Sequence, residues 1–357
     1  MKQPDLPLSF SQTPRILVIK FRHHGDMLLT TPVIHSLRKA YPQAKIDVLL
    51  YEETRPMLAN HPDINQIYAI DRKWKKQGVR HQLSQEWRLM KTLRQQHYSL
   101  VINLADQSRS GMIARFTGAP CRVGFDFPRR RNAWWRMCHT VLVPTDNHGS
   151  LHTVEQNLSV LAPLQLAEPV TDVAMHYSTS DREKIQTLLG ATGEYIVVQP
   201  TSRWFFKCWD EQKFAATLQA LHDDGHTLVL TSGPDQRELE MVSTIISHMR
   251  TSDRVISLAG QLTLPQLAAV IDHARLFIGV DSVPMHMAAA LQTPCVALFG
   301  PSKLVFWRPW QVKGEVIWAG DYGPLPDPDQ VDTGTSERYL DAIPVETVLN
   351  AARKLLA

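Results

Sequence analysis

The sequence predicts an α/β protein of two domains, each built on a doubly wound parallel sheet. Short, wholly apolar runs recur along its 357 residues, and such runs are typical of strands buried on both faces of a parallel sheet. Segments with helical periodicity separate these runs, which is the order expected of a doubly wound sheet. The alternation stops at a segment with two prolines, residues 161–173, and then begins again. We therefore expect a linker there, with a domain of about 150 residues on each side.

Residues 1–170 are assigned to the first domain. Its predicted strands are Arg15–Lys20, Lys45–Leu50, Asn65–Ile70, Ser99–Leu104, Arg122–Gly124 and Thr140–Val143. The predicted helices between and after them are Met27–Tyr41, Leu83–Gln96, Gly111–Thr117 and Thr153–Leu161.

Residues 171–343 are assigned to the second domain, which repeats the alternation. Its predicted strands are Tyr195–Gln199, Thr227–Thr231, Arg254–Leu258, Leu276–Val280 and Cys295–Phe299. Its predicted helices are Asp181–Leu189, Glu211–Leu221, Gln236–His248, Leu264–Asp272 and Met287–Leu291. A loop rich in Pro, Gly and Asp follows at 320–335, and a last helix is predicted at Val345–Leu356.

Composition excludes several classes of protein. The four cysteines lie far apart with no Cys-x-x-Cys pair, which argues against a disulfide framework or a zinc site and favours a reducing, cytosolic environment. No apolar run approaches the ~18 residues of a membrane span. The first 14 residues lack an apolar core, so we expect no secretory signal.

Charge is distributed unevenly between the two halves. Residues 1–170 hold 23 Lys and Arg against 13 Asp and Glu, whereas residues 171–357 hold 15 against 22. A basic first half suggests an anionic partner for that half. Nucleic acid, a phosphorylated glycan and an anionic membrane surface would all satisfy this expectation.

The most informative stretch joins two apolar runs, Leu276–Val280 and Cys295–Phe299. Asp281 and Ser282 follow the first run directly, and His286 lies in the helical segment that comes next. An acid, a hydroxyl and an imidazole thus meet where a parallel strand ends and a helix begins. Ligands bind at that edge of such sheets, and helix N-termini attract anions such as phosphate. A local interpretation, in which Asp281 and Ser282 only cap the helix, is equally supported.

Three other loops place polar side chains at predicted strand ends. In the loop Arg22–Asp26, Asp26 lies where a helix begins, so it is either an N-cap or a functional carboxylate. The segment Gln199–Lys207 combines two hydroxyls, a guanidinium and an ammonium, so it is either a diphosphate site or a set of core and cap residues. The turn Thr231–Asp235 is placed to meet a ribose or a base. No G-x-G-x-x-G occurs, which disfavours a nicotinamide cofactor.

A basic and aromatic run, Phe127–Arg136, lies in the first half. It holds Arg129, Arg130 and Arg131 close to Trp134. Arginine binds phosphate through two parallel hydrogen bonds, and Trp stacks on sugars or bases. The run is therefore a candidate for binding a phosphorylated acceptor, although a solvated arginine surface is an equally good interpretation.

Taken together, these motifs resemble the ADP-heptose:lipopolysaccharide heptosyltransferases, glycosyltransferase family nine. The resemblance covers nearly the whole chain, and no single motif carries it. Within the family, the loop Arg22–Asp26 and the segment Asp281–His286 are most similar to the type III branch, which adds a side-branch heptose to the inner core. The matching motifs are Gly25-Asp26-Met27-Leu28 with Thr31-Pro32, Thr201-Ser202-Arg203 with Lys207 and Trp209, Gly279-Val280-Asp281-Ser282 with His286, and Thr293-Pro294 with Leu298-Phe299-Gly300.

The resemblance implies a GT-B fold, in which two Rossmann-like domains face a cleft. The first domain would bind the acceptor and the second the nucleotide sugar, and the C-terminal helix 344–357 would pack back on the first domain. It implies inverting, metal-independent transfer of heptose from ADP-heptose to a phosphorylated lipopolysaccharide inner core. The protein would act in the cytoplasm, in peripheral contact with the inner membrane, and would bind no nucleic acid.

The resemblance also assigns roles to residues. Asp26 would be the general base, and Lys207 would hold the diphosphate. Many members of the family carry Gly at the position of Val283 and Thr at that of Ser282. The remaining donor-binding candidates are Thr201, Ser202, Asp235, Leu262, Asp281, Ser282, Val283 and His286, and the acceptor-binding candidates are Arg22, His24, Arg129, Arg130, Arg131 and Trp134.

Other functions remain open from the sequence. Types I and II of the same family would act at other core positions, and a sugar-nucleotide epimerase of the same architecture would turn over donor without acceptor. A silent nucleotide-sugar-binding protein would be indifferent to loss of Asp26. A nucleic-acid-binding protein would lose affinity steeply with salt.

Overall fold

The structure is a computed structural model that describes residues 14–357. The segment 1–13, on which the expectation about a secretory signal rests, lies outside the described residues. The chain divides into two compact units, of which unit 1 ends at Ala174 and unit 2 comprises Met175–Ala357.

Unit 1 contains a six-stranded parallel sheet with the strand order β3-β2-β1-β4-β5-β6. The strands are β1 Arg15–Ile19, β2 Lys45–Tyr51, β3 Gln66–Ile70, β4 Leu100–Asn103, β5 Cys121–Asp126 and β6 Val141–Pro144. The α-helices are α1 His24–Leu28, α2 Thr31–Ala40, α3 Val79–Gln95, α4 Ser108–Phe116, α5 Ala133–Cys138 and α6 Thr153–Leu158. Short 3-10 helices lie at Glu52–Met57, Arg72–Gln77, Pro128–Arg130, His148–Ser150 and Ser159–Leu164.

Unit 2 contains a second six-stranded parallel sheet with the order β12-β11-β10-β7-β8-β9. The strands are β7 Tyr195–Gln199, β8 Thr227–Leu230, β9 Val255–Ser257, β10 Leu276–Val280, β11 Cys295–Phe299 and β12 Gly314–Trp318. The α-helices are α7 Thr179–Leu189, α8 Glu211–Asp223, α9 Gln236–His248, α10 Leu264–Asp272, α11 Val283–Ala290, α12 Leu304–Trp307 and α13 Val345–Leu356, and 3-10 helices lie at Phe205–Lys207 and Ala319–Asp321. The prediction of two doubly wound parallel sheets is confirmed.

In both sheets the order in which the chain adds strands reverses at the same place, which we call the switch point of each unit. The first strand of each unit pairs with the fourth, β1 with β4 and β7 with β10. The loops that leave those two strands therefore run to opposite faces, and a crevice opens at the carboxyl edge between them. Each unit thus has one favoured position for a ligand.

The prediction of one long helix at Met27–Tyr41 is wrong, because two helices occupy this segment. The hydroxyl groups of Thr30 and Thr31 donate to the carbonyls of Met27 and Leu28. These carbonyls thus have side-chain hydrogen-bond partners in addition to those that a continuous helix would offer. Pro32 then lies in the first turn of α2, where its missing N–H costs nothing. The break leaves α1 as a separate short helix that carries Asp26 in its first turn.

The C-terminal helix α13 packs one of its faces in the core of unit 2. Val348, Leu349 and Ala352 belong to the buried core of unit 2. The guanidinium of Arg353 donates to both carboxylate oxygens of Asp224 at 2.8 and 3.1 Å. The amphipathic pattern of the helix predicted an inward face, but it contained no information on which sheet that face would cover.

Strand β12 was not predicted from the sequence. It is an edge strand of unit 2, and Gly314 and Val316 in it are exposed. Since only one of its neighbours is a strand, it lacks the continuous apolar run that identifies central strands.

Candidate functional site

A buried ion pair lies at the switch point of unit 2. The amine Nζ of Lys207 is 2.6 Å from Oδ2 of Asp281, and their side chains are only 13% and 6% exposed. The hydroxyl of Ser302 donates to the same Oδ2 at 2.5 Å. Lys207 lies in the loop after β7, Asp281 directly follows β10 and Ser302 follows β11. Three strand ends therefore converge on one carboxylate, at the edge where parallel sheets bind ligands.

Apolar packing holds Lys207 in this position. The 3-10 helix that ends at Lys207 buries Phe205 and Phe206, and Trp209 just beyond it is fully buried. The amine lies 5.1 Å from the centre of the Trp204 ring, in a cation–π contact. Aromatic anchors on both sides thus fix the lysine, and its charged end reaches the sheet edge.

The strand ends of β7 and β8 are tied together by a hydrogen-bond network around Gln199. Its amide donates to Oγ1 of Thr201 at 2.9 Å and accepts from the hydroxyl of Thr231 at 2.7 Å. Thr201 in turn donates to Glu238 at 2.5 Å, and the backbone N–H of Gly233 donates to the same carboxylate at 2.9 Å. Thr201 is fully buried, so its hydroxyl braces the loop, and Glu238 connects two loops of the candidate site.

The hydroxyl-bearing residues Ser202 and Ser282 differ in their surroundings. The backbone N–H of Ser202 donates to Sγ of Cys208 at 3.3 Å. Ser282 is the N-cap residue of α11, but its side chain makes no capping bond to the helix. Its hydroxyl donates instead to the carbonyl of Val280 at 3.2 Å. The local capping interpretation is therefore not supported for Ser282.

The first turn of α11 begins beside Asp281. Val283 is the first residue of this helix and is partly exposed, whereas His286 is buried with its ring 6.2 Å from that of Trp307. The positive end of the helix dipole is thus directed toward the end of β10. A side chain at Val283 is accommodated without displacing the ion pair.

Asp235 and Leu262 lie on two loops that join into one surface. The N–H of Gly260 donates to the carbonyl of Ser232 at 3.2 Å. Gly260 has a φ of +68°, and a Cβ atom there would lie 2.8 Å from Leu239, so a side chain at this position would be strained. The carboxylate of Asp235 accepts from the backbone of Arg237 and caps α9.

In unit 1, Asp26 lies in the first turn of α1, just after β1, and is partly exposed. Its carboxylate has no hydrogen bond or ion pair with any residue from 14 to 357. Lys20, at the end of β1, is buried and donates to Oδ1 of Asn157 at 3.0 Å. Burial lowers the pKa of the Lys20 amine, and the nearby Asp26 carboxylate opposes that shift. A partly exposed carboxylate without a partner in this position is available to accept a proton.

Two of the predicted acceptor-binding arginines, Arg22 and Arg130, lie at the switch point of unit 1. Arg22 pairs with Asp106 at 3.2 Å, and Nε of Arg130 donates to the carbonyl of Asp106 at 2.5 Å. Arg130 also donates to Oγ of Ser108 at 3.2 Å. Arg22 follows β1 and Asp106 follows β4, so the arginines lie where the topology favours a ligand.

The other acceptor-binding candidates do not contact Asp106 and have their own surroundings. Arg131 pairs with Asp126 at 3.1 Å and with Asp146 at 3.3 Å. Arg129 and Trp134 are exposed, and within the described part of the chain Arg129 has no ion pair. The imidazole Nε2 of His24 is 2.8 Å from the carbonyl oxygen of Glu53.

Sequence reasoning missed four residues that the structure places in these sites. Ser302 and Glu238 become visible only when distant strand ends meet. Lys20 and Asp106 had a weak signal, since each is a charged residue next to an apolar strand. That position could have marked Lys20 and Asp106 as candidates.

The cysteines are expected to be inert toward alkylation. All four are buried and unpaired, and burial raises the pKa of Cys208, the one that contacts the Ser202 loop, to about 12. Since the thiolate is the reactive form, iodoacetamide at neutral pH should leave both the mass and the activity of the native protein unchanged. The unfolded chain should take up label at all four positions. Labelling of the native protein at Cys208 with loss of activity would contradict this assignment.

Comparison with known proteins identifies the family. The model of glycosyltransferase family 9 (heptosyltransferase) matches residues 86–336. Lipopolysaccharide heptosyltransferase 3 of Escherichia coli is 45% identical over 338 residues, which cover 94% of this chain and 97% of that protein. Two solved structures share the fold. The family 9 glycosyl transferase of Veillonella parvula has a TM-score of 0.83 at 24% identity and covers 96% and 97% of the two chains. The Escherichia coli heptosyltransferase WaaC with ADP has a TM-score of 0.76 at 20% identity and covers 96% and 99%. The chain therefore belongs to glycosyltransferase family 9, the heptosyltransferases.

Proposed function

We propose that this protein transfers L-glycero-D-manno-heptose from ADP-heptose to a heptose of the lipopolysaccharide inner core, as a type III enzyme. The observation that carries this proposal is the 45% identity, over nearly the whole chain, to a lipopolysaccharide heptosyltransferase 3. The buried Lys207–Asp281 pair at the switch point of unit 2 fits a diphosphate-containing donor, because an ammonium at this edge can meet a phosphate.

The reaction we propose is a single inverting displacement. The acceptor oxygen attacks the anomeric carbon of the donor, and its proton moves to the carboxylate of Asp26. The bond between that carbon and the diphosphate breaks, and its electron pair leaves with ADP. Lys207 and the N-terminus of α11 stabilise the negative charge that develops on the leaving group.

The donor is assigned to unit 2. Lys207 faces the diphosphate, Asp281 faces the heptose, and Ser202, Ser282, Val283 and His286 lie around the phosphates. Asp235 and the main chain near Leu262 form the nucleoside side of the site, on the two loops that Gly260 joins. Thr201 supports the donor loop from within through Glu238.

The reaction is proposed to need no metal, because Lys207 and a helix N-terminus already supply positive charge where the diphosphate would lie. Addition of EDTA is expected to change neither ADP affinity nor the rate of transfer. Strong inhibition that a divalent ion reverses would overturn this part of the proposal.

The function is tested by incubating the protein with ADP-heptose and a set of core-truncated lipopolysaccharides. Mass spectrometry should show one added heptose only on acceptors whose side-branch position is free. Addition at a main-chain heptose would indicate type I or II activity. Conversion of ADP-heptose without acceptor would favour an epimerase, and no turnover with intact ADP binding would favour a silent binding protein.

The acceptor is assigned to unit 1, where Arg22, His24, Arg130, Arg131 and Trp134 join Arg129 as binding candidates. Replacement of Arg129, Arg130 and Arg131 together by glutamine is expected to raise the acceptor KM about tenfold, since each charge-assisted bond is worth more than a neutral one. The donor KM should hardly change, and higher ionic strength should reproduce part of the effect.

Two variants sharpen this prediction. Arg129→Gln alone removes a cation that has no ion pair among residues 14–357, so it tests acceptor binding without disturbing a local pair. Arg250→Gln is the control, because it removes an exposed arginine paired with Asp223 in unit 2. Unchanged constants for the triple variant would indicate a solvated arginine surface, and equal losses for both substrates would contradict a selective role.

We further propose that the protein works in the cytoplasm, in peripheral contact with the inner membrane. The unpaired cysteines fit a reducing compartment, and a lipid-linked acceptor must be reached at a membrane surface. In residues 14–357 no helix has the length and apolar character needed to cross a membrane. Nucleic acid is not proposed as a partner.

A further inference from the structure

The exposed apolar side chains of unit 1 are confined to two helices. Among the described residues of this unit, every large apolar side chain that is exposed lies on α3 or α5. Val79, Leu83 and Trp87 of α3 are 72%, 61% and 58% exposed, and Trp134 and Met137 of α5 are 46% and 54% exposed. Scattered exposed apolar residues are ordinary in a folded protein, but their concentration on neighbouring elements indicates an interaction surface.

These helices lie in one layer. The connections β3–β4, β4–β5 and β5–β6 all run in the same direction along the sheet, so right-handed crossovers place α3, α4 and α5 on the same face. The ring of Trp87 packs edge-on against Phe116 of α4, with 5.6 Å between ring centres. Gly111 of α4 closely approaches Trp135 of α5. Helices α3 and α5 therefore lie on one face of the sheet, with α4 packed between them.

Helix α3 carries apolar side chains on its inward face and also on its outward face. Leu93 is buried, and Leu89 and Met90 pack with it against the core of unit 1. Val79, Leu83 and Trp87 follow one another at intervals of four residues, so they form a line along the outward face. The inward side accounts for the folding of the helix, and the outward line requires another explanation.

The same layer is strongly basic. Helices α3, α4 and α5 carry seven Lys and Arg against a single acid, Glu86, which is paired with Arg109 at 3.0 Å. On α3, Arg80, Arg88 and Lys91 are exposed, and none has an ion pair within residues 14–357. The 3-10 helix Arg72–Gln77 that precedes α3 adds Lys73, Lys75 and Lys76. Arg80 and Arg88 thus lie on one side of the apolar line, and Lys91 continues the line by one further turn.

We infer that this α3–α5 surface docks on a bilayer that contains anionic phospholipid. Apolar side chains flanked by cations fit the boundary between acyl chains and acidic headgroups. Nucleic acid would account for the cations but would leave Leu83 and Val79 without a role. The inference deepens the proposed function by naming the surface that brings the enzyme to its lipid-linked acceptor, and it rests on that function only for this purpose.

The test measures binding to vesicles that contain no lipopolysaccharide, so that acceptor phosphates cannot contribute. We expect the protein to float with vesicles of phosphatidylcholine and phosphatidylglycerol, but not with phosphatidylcholine alone. The double variant Val79→Ser/Leu83→Ser should weaken this binding about tenfold, since it removes exposed aliphatic groups that would enter the bilayer. Arg80→Gln/Arg88→Gln/Lys91→Gln should weaken it by about fivefold per cation removed.

Matched controls are available in unit 2. Leu188→Ser removes a leucine that is 42% exposed, and Arg250→Gln removes an exposed arginine; neither should change vesicle binding. Thermal melting should show that all variants remain folded. Transfer to a short, detergent-free acceptor should be the same for wild type and the α3 variants, which separates failure of docking from failure of the proposed function.

Four results would overturn the inference. The wild-type protein could fail to bind the anionic vesicles, or it could bind both vesicle types equally. The α3 variants could bind as well as the wild type does. Light scattering could instead show that the α3 variants abolish self-association without a change in vesicle binding, which would assign the surface to a second copy of the chain.

Discussion

Replacement of Asp26 by asparagine is expected to reduce heptosyl transfer by about 100- to 10,000-fold, the usual contribution of a general base. The amide has nearly the same shape but cannot accept the proton of an acceptor hydroxyl. In the structure the carboxylate stands in the first turn of α1, directly after β1, and is partly exposed. No other residue in the range 14–357 donates a hydrogen bond to it, so its lone pairs are available.

The affinity for ADP should remain unchanged in this variant, since the donor is assigned to unit 2. Isothermal titration with ADP measures that affinity, and steady-state kinetics measures the loss of turnover. Asp71→Asn is the matched control, because it neutralises another partly exposed aspartate that directly follows a strand of the same sheet, β3. A loss of less than about tenfold for Asp26→Asn, or a similar loss in the control, would remove Asp26 from the proposed role.

The strands could be predicted because burial on both faces leaves a continuous apolar run. Leu276–Val280 and Cys295–Phe299 were located residue by residue. The edge strand β12 has a mixed pattern and was missed. Segment boundaries depended on side-chain hydrogen bonds, as at Thr30 and Thr31, where hydroxyls interrupt an otherwise helical pattern.

The candidate sites could be predicted as loops but not as contacts. The rule that ligands bind at carboxyl ends of parallel strands selected the loops of Asp26, Lys207 and Asp281. It could not show that Lys207 meets Asp281, 74 residues away, or that Ser302 completes the cluster. The partners of Arg131 are acids that approach only in the folded chain, so the sequence could not show which arginines of the run are already paired.

Replacement of Lys207 by alanine is expected to weaken ADP binding by about 10- to 100-fold, the range for losing a hydrogen bond to a charged group. Transfer should fall further, because the leaving diphosphate gains charge in the transition state and loses the cation that stabilises it. Lys303→Ala is the matched control, since Lys303 lies beside Ser302 but pairs with Asp329 at 2.5 Å on the surface. Titration with ADP and steady-state kinetics measure the two effects.

One complication follows from the ion pair. Removal of Lys207 leaves the Asp281 carboxylate, only 6% exposed, without its cation, and this charge would repel a diphosphate even if the lysine never touched one. The variants Lys207→Ala, Asp281→Asn and the double variant separate the two causes. If Lys207 binds the diphosphate directly, Asp281→Asn should retain ADP affinity and the double variant should remain as weak as Lys207→Ala. If Lys207 only neutralises Asp281, the double variant should recover the affinity of the wild type, and the proposed role of Lys207 would fail.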